Sequence, residues 1–148
     1  MKRNRIKLYT EIGGELVSHF MLAEAETPDG FAMVHPSTLR SLELTRMQLN
    51  KQFPLDPVYI VITCWIRTET HNADLAVIYG WTDEGGTVAR NSKHLPKYQG
   101  IAVDFVARHK SGARVEQSVA GKAARMFFDW VKDDYAEGHV HADNRNHL

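Results

Sequence analysis

The run from Val58 to Ile66 constrains the fold more than any other segment of the chain. It reads Val-Tyr-Ile-Val-Ile-Thr-Cys-Trp-Ile, an almost unbroken series of β-branched and aromatic residues. Such residues favour strands, and a continuous apolar run is typical of a strand that is buried on both faces for part of its length. We therefore predict a central strand here. Pro54 and Pro57 lie just before it and end the preceding element.

Two helices are predicted around this strand. Pro36–Gln52 begins with Pro-Ser-Thr, where Ser37 or Thr38 could cap the helix, and its leucines recur at near-helical spacing. Gln117 to Tyr135 carries one apolar stripe, and Gly138 is well placed to stop it. Both apolar faces are most simply explained as core.

The remaining pattern favours an α+β domain. We predict two further strands, Ile101 to Val106 and His139 to Asp143, and we interpret residues 1–34 as irregular. A turn at residues 83–86 separates the apolar run 74–81 from a possible hairpin arm at residues 87–88. Strands and helices do not alternate regularly, as they would in a parallel α/β protein. We predict a mainly antiparallel sheet with helices packed on one side.

Length and charge narrow the class of protein. The 148 residues suit one domain, residues 1–148, and 18 basic residues balance 18 acidic ones. A net charge of zero gives no general attraction to nucleic acid or to an anionic membrane. No segment is long and apolar enough to span a bilayer, and Met1–Thr10 lacks the apolar core of a secretory signal.

The single cysteine, Cys64, lies inside the apolar run. It has no partner for an intramolecular disulfide, and no activating base is evident beside it in the sequence. We interpret it as a buried, inert thiol.

Four side chains are candidate metal ligands. His94 lies in a loop, Asp104 lies between Val103 and Phe105 in a predicted strand, and His139 and His141 project to the same face of another. A carboxylate in an apolar strand is costly unless it is paired or bound to metal. Two histidines and one aspartate would leave the fourth position of zinc for water, as in catalytic sites. In the alternative interpretation, Asp104 pairs with an arginine and the histidines are merely exposed.

Three ordered motifs carry a resemblance to a known family. Residues 92–104, Ser-Lys-His-Leu-Pro-Lys-Tyr-Gln-Gly-Ile-Ala-Val-Asp, resemble the signature Ser-x-His-x-x-Gly-x-Ala-x-Asp, and residues 139–143, His-Val-His-Ala-Asp, resemble a closing His-x-His segment. Residues 62–72 are similar to a Thr-Ser-Gly-Tyr-Arg-Ser…Asn segment. These motifs belong to the zinc D-Ala-D-Ala carboxypeptidase and murein endopeptidase family, which shares its fold with the hedgehog signalling domain.

The resemblance implies a role for each matching residue. His94, Asp104 and His141 would hold zinc, and His139 would assist catalysis beside the metal-bound water. Arg67 would bind the substrate carbonyl or carboxylate, and Ser92 would hold substrate or orient the site.

The chain also departs from the family pattern. Three additional residues separate His94 from Gly100, and Cys64-Trp65 replace a Ser-Gly pair. Residues 73–90 form a longer insertion, which could act as a lid or a substrate-selecting hairpin. A glutamate base of many relatives is replaced by Gly138, so His139 is the first choice as base and Glu137 the second.

The function that the resemblance implies is zinc-dependent hydrolysis of peptidoglycan stem peptides, by a carboxypeptidase or an endopeptidase. The alternative is a non-catalytic, hedgehog-like zinc-binding module. We expect a monomer that stays in the cytoplasm until it is released, as a phage lysin or as part of a phage assembly acting on the cell wall.

Overall fold

The computed structural model describes residues 5–148, so the first four residues of the basic Met1–Thr10 segment lie outside the described residues. Within that range the chain forms six strands and three α-helices. They are β1 (Lys7–Ile12), β2 (Glu15–Met21), α1 (Pro36–Gln52), β3 (Val58–Cys64), α2 (Glu69–Tyr79), β4 (Ala102–His109), α3 (Gln117–Arg125), β5 (Trp130–Lys132) and β6 (Val140–Asp143).

The strands form two antiparallel sheets. β3, β4, β6 and β5 lie in that order in a four-stranded sheet, and β1 pairs with β2 in a separate hairpin. The predicted α+β class, the antiparallel sheet, the strand at β3 and the α1 helix are confirmed. The central position predicted for β3 was wrong, because β3 lies at the edge of the four-stranded sheet and, among the described strands, pairs only with β4. The α1 cap is a difference, because Nδ1 of His35 accepts the Ser37 N–H at 3.2 Å, where Ser37 or Thr38 was expected as the cap.

The main core lies between the four-stranded sheet and helices α1 and α3. Val103, Phe105 and Ala107 of β4 alternate along the strand and pack with buried side chains of both helices, such as Leu42 and Ala124. Because alternate residues of a strand point to opposite faces, Asp104 lies on the other face of β4. The fold thus directs the polar residues of the central strands away from the main core.

The prediction of an irregular segment was wrong for residues 7–21. Residues 7–21 form a hairpin whose turn, Gly13-Gly14, has φ values of +60° and +83°. Two consecutive positive φ values are the geometry of the tight hairpin turns that glycine favours. The strands themselves lack strong apolar alternation, and β1 is only half-buried on one side.

The predicted helix over residues 117–135 was also wrong in its second half. α3 ends at Arg125, and Trp130–Lys132 instead forms an edge strand that pairs with β6. Asn144 accepts the Asp129 N–H through Oδ1 and so fixes the chain between the two elements. Pairing with the next strand along the chain, β6, therefore overrides the local helical periodicity.

The segment around residues 69–88 differs from the prediction as well. Residues 69–79 form helix α2, which Thr68 caps and Gly80 ends, and Val77 and Ile78 remain 87% and 70% exposed. Val88 is not the arm of a hairpin, because it pairs with Trp81 through an isolated parallel bridge. α2 does not join α1 and α3 in the main core, so the prediction that the helices pack on one side holds only for those two. Among the described residues, no helix combines the length and the apolar character needed to cross a membrane.

Candidate metal centre

The candidate site lies on the face of the sheet opposite α1 and α3. Asp104 of β4 pairs in register with His141 of β6 and with Cys64 of β3. Directly opposed residues of antiparallel strands have side chains on the same face. Three neighbouring strands of the sheet, β3, β4 and β6, therefore each contribute one potential ligand to the same place.

Asp104 lies at the centre of this cluster. Its Oδ1 atom is 3.0 Å from Nε2 of His94 and 2.9 Å from Nδ1 of His141. All three side chains are buried, and the two imidazole rings meet edge to face with centroids 5.1 Å apart. The structure thus brings together the three residues that the sequence motifs single out as ligands.

The outward nitrogen of each ring also has an acceptor. Nδ1 of His94 lies 3.0 Å from the Trp65 carbonyl oxygen, and Nε2 of His141 lies 2.9 Å from Oδ2 of Asp143. An acceptor at one ring nitrogen fixes the proton there and leaves the lone pair on the other nitrogen. In both histidines the nitrogen that faces Asp104 is therefore the one that would ligate a bound metal.

The electrostatics of the cluster reflect close opposite charges. Burial by itself raises the pKa of Asp104, but His94 and His141 outweigh it and hold that pKa far below its usual range. Burial lowers the pKa of His94, whereas the charges of Asp104 and Cys64 raise it, and the net shift is well upward. Without a metal, the aspartate is therefore ionised, and its charge favours the protonated form of His94.

Cys64 also belongs to this cluster, which corrects its interpretation as an inert core thiol. Possible ligand atoms of Cys64, His94 and Asp104 all lie within 4.8 Å of one another, and the group can hold a metal ion. The thiol is half-buried. Burial raises its pKa, but the neighbouring His94 and Arg67 lower it further, so the pKa lies below its usual value.

A β-bulge explains why the sequence did not indicate this position. Ile62 pairs with Phe105, but Cys64 pairs with Asp104, so two residues of β3 are matched by one residue of β4. Without the bulge, Cys64 would face the core beside Val103. Strict alternation along the apolar run therefore assigns Cys64 to the wrong face.

His139 lies at the rim of the cluster. Its Nε2 atom is 3.8 Å from Oδ2 of Asp104, and its ring stacks on Tyr135 with centroids 4.2 Å apart. Burial, Asp104 and nearby acidic residues raise the pKa of Tyr135 to about 12, so this phenol stays protonated. Glu137, the second choice as base, also lines the cleft but is exposed.

Arg67 and Ser92 flank the cluster. Arg67 donates from Nη1 to Oδ1 of Asn72 at 3.1 Å and from its backbone N–H to the His94 carbonyl at 2.9 Å, while its buried Nε has no hydrogen-bond partner among residues 5–148. The Ser92 hydroxyl accepts the His94 N–H at 3.2 Å. Ser92 thus orients the loop that carries His94, and Arg67 places a cation beside the site.

The additional residues between His94 and Gly100 do not separate the ligands. Residues 96–98 form one 3-10 turn, Gln99 adopts a left-handed φ of +63°, and the chain enters β4 through Gly100. The extra length is absorbed in this turn, and His94 reaches Asp104 despite it.

The cluster lies in an open cleft of about 500 Å³. Leu75 and Tyr79 of α2 and the residues 87–89 form one wall, so the 73–90 segment shapes the cleft as a helix and not as a hairpin. The cleft is also lined by Trp130, Tyr135 and Arg145. The arrangement combines a buried ligand cluster with access for a ligand of a few residues.

Comparison with known proteins identifies no relative. No family model matches the chain, and neither a curated protein nor a solved structure matches it. The resemblance to the zinc peptidase family therefore depends on the sequence motifs.

Proposed function

We propose that the chain is a zinc-dependent hydrolase of peptidoglycan peptides, acting as a D-Ala-D-Ala carboxypeptidase or a murein endopeptidase. One observation supports this most strongly. Nε2 of His94 and Nδ1 of His141 both lie within 3.0 Å of Oδ1 of Asp104, in an open cleft.

Zinc fits the donor set better than the common alternatives. Imidazole nitrogens, a carboxylate and a nearby thiol suit zinc, whereas magnesium and calcium prefer sites made of oxygen ligands. The bound metal would supply Lewis acidity that activates water and polarises the scissile carbonyl.

The remaining residues have roles that follow from their positions. His139 lies beside the cluster, and its stacking on Tyr135 fixes the ring, so it is placed to take up and return a proton. Arg67 lines the cleft and offers a permanent positive charge, which suits a substrate carboxylate or carbonyl oxygen. Ser92 keeps the His94 loop in place.

Zinc content and peptide cleavage test the proposal. Elemental analysis of the purified protein should find about one zinc per chain, and His94→Ala should lose it. Purified muropeptides should be cut in a reaction that a chelator stops and added zinc restores. Released D-alanine would identify a carboxypeptidase, and loss of cross-linked dimers would identify an endopeptidase. A metal-free wild type indistinguishable from His94→Ala would rule the proposal out.

A non-catalytic zinc-binding module is the second candidate. Two observations favour it. Cys64 approaches the ligand cluster, and Gly138 stands where many members of the zinc peptidase family carry a glutamate base. In that case the zinc-loaded protein should bind muropeptides without turnover, as measured by calorimetry and by chromatography of the same mixtures.

The setting in which the protein acts is a further part of the proposal. We expect a monomer that reaches the cell wall as a phage lysin or as a phage-assembly component. Sedimentation of the zinc-loaded protein and the gene neighbourhood test these two points separately.

A further inference from the structure

We infer that Cys64 is a fourth protein ligand of the metal held by His94, Asp104 and His141, which makes the resting site a mixed thiolate, imidazole and carboxylate centre. The inference rests on the metal site of the proposed function and adds a ligand that the sequence motifs do not include. A catalytic water would then bind as a fifth ligand or in place of the thiolate.

Backbone geometry provides the first argument. The bulge between Ile62 and Cys64 moves the cysteine from the core face to the face of Asp104, and β3 ends there. A bulge costs ladder pairing and redirects a side chain, and bulges are frequent beside functional sites. Here the redirected side chain is the only thiol of the chain, and it lies beside the imidazole of His94 and the carboxylate of Asp104.

The distances provide the second argument. Ligand atoms of Cys64, His94 and Asp104 lie within 4.8 Å of one another. In a tetrahedral zinc site the ligand atoms are roughly 3.3–3.8 Å apart, given metal–ligand bonds of about 2.0–2.3 Å. Small side-chain rotations would close the difference, because Cys64 is half-buried and free of a disulfide.

The surroundings of the thiol suit a metal-bound thiolate. Nη2 of Arg67 lies 3.9 Å from Sγ of Cys64 and can donate to it, as donors commonly do around metal thiolates. On metal binding the S–H proton leaves to solvent and the sulfur forms a bond to the metal. A thiolate also selects softer metals such as zinc over magnesium or calcium.

Because Cys64 is the only cysteine, thiol chemistry reports on this one side chain. One equivalent of zinc should slow alkylation of the wild-type thiol by iodoacetamide by about tenfold or more, and magnesium should not. The His94→Ala variant should show no protection. The cobalt-loaded wild type should show a near-ultraviolet thiolate-to-cobalt charge-transfer band, which should be absent from cobalt-loaded Cys64→Ser.

Zinc affinity completes the test. Competition with a chromophoric chelator should show about 10- to 100-fold weaker binding for both Cys64→Ser and Cys64→Ala. A wild type that binds zinc through His94 but lacks the cobalt band, together with affinities within about twofold for both variants, would overturn the inference and leave the proposed function intact. A wild type that binds neither zinc nor cobalt would overturn both.

Discussion

His141 and Asp143 lie two residues apart on β6, and Nε2 of the histidine is 2.9 Å from Oδ2 of the aspartate. Arg145 holds the same carboxylate through Nε and Nη2 at 2.8 and 2.7 Å. Burial raises the pKa of Asp143, but Arg145 and His141 lower it to about 2, so the carboxylate is ionised at neutral pH. It therefore fixes the ring so that Nδ1 faces Asp104, and with a metal on Nδ1 it would accept the Nε2–H of His141.

Asp143→Asn should weaken zinc binding by about 10- to 100-fold, because a neutral amide no longer fixes the ring or raises its basicity. Chelator competition measures the affinity. Asp83→Asn, which removes a carboxylate from an exposed pair with Arg90, is the matched control and should bind zinc like the wild type. An unchanged affinity in Asp143→Asn would show that Asp143 does not orient His141.

The same carboxylate should make the stability of the metal-free protein depend on pH. Its pKa is about 2 in the folded protein and about 3.9 in an unfolded chain, so its stabilisation is present above pH 4 and is lost as the pH falls towards 2. The wild type should exceed Asp143→Asn by about 2 kcal/mol at pH 7 and by about half of that at pH 3. Urea denaturation in the presence of a chelator measures both differences, and an equal gap at the two pH values would contradict this origin.

His139→Ala should keep zinc and lose the hydrolysis rate. The His139 ring lies at the rim, 3.8 Å from Asp104 Oδ2, where it can accept a proton without completing the ligand set. A positioned acid or base contributes about 10²- to 10⁴-fold to a rate, so kcat should fall by that factor. Glu137→Gln is the matched comparison. If Glu137→Gln loses the rate and His139→Ala retains it, Glu137 is the base.

The sequence predicted the ligand positions on β4 and β6 because regular strands have a period of two. Asp104 lies between two apolar residues, so the alternation of the strand assigns it to the polar face. His141 is two residues from His139 and therefore shares a face with it. Asp143 shares this face, but the sequence analysis did not single it out, and its contact with His141 could not be anticipated from the pattern.

The predictions for Cys64 and for residues 130–132 were wrong because strand pairing changed the local pattern at both places. A bulge beside Cys64 reversed the parity of β3, and nothing in an unbroken apolar run marks such a bulge. Residues 130–132 continued a helical stripe but formed a strand because β6 offered unpaired backbone groups. Local periodicity reveals neither the bulge between β3 and β4 nor the pairing of β5 with β6.

Arg67→Ala should abolish a preference for substrates that end in a free carboxylate. The guanidinium flanks the ligand cluster and lines the cleft, so its loss should raise KM for a free-acid peptide by about tenfold or more and leave the peptide amide little affected. Kinetics with a matched acid and amide pair measure the preference. Arg90→Ala, which removes an exposed guanidinium paired with Asp83, should leave it unchanged. Equal loss for both peptides would indicate that Arg67 supports the structure of the site and does not read the carboxylate.

Gly100→Ala should destabilise the protein and displace the ligands on either side of it. Gly100 has a φ of +73°, and an added Cβ would lie 2.4 Å from the Met33 carbonyl oxygen, which is backbone and cannot move aside cheaply. The Gly100 carbonyl also accepts the Trp65 indole N–H at 2.9 Å, so a shift here reaches the strand end beside the site.

Gly14→Ala separates backbone strain from steric clash, because Gly14 has a φ of +83° and an added Cβ there would meet nothing within 4 Å. Backbone strain alone should lower the free energy of unfolding by about 1–2 kcal/mol in Gly14→Ala, and the steric clash should add about 1–3 kcal/mol in Gly100→Ala. Urea denaturation measures both losses. Zinc affinity should fall only in Gly100→Ala, since its backbone joins the His94 loop to the Asp104 strand; equal losses of stability and no change in affinity would show that the loop tolerates the displacement.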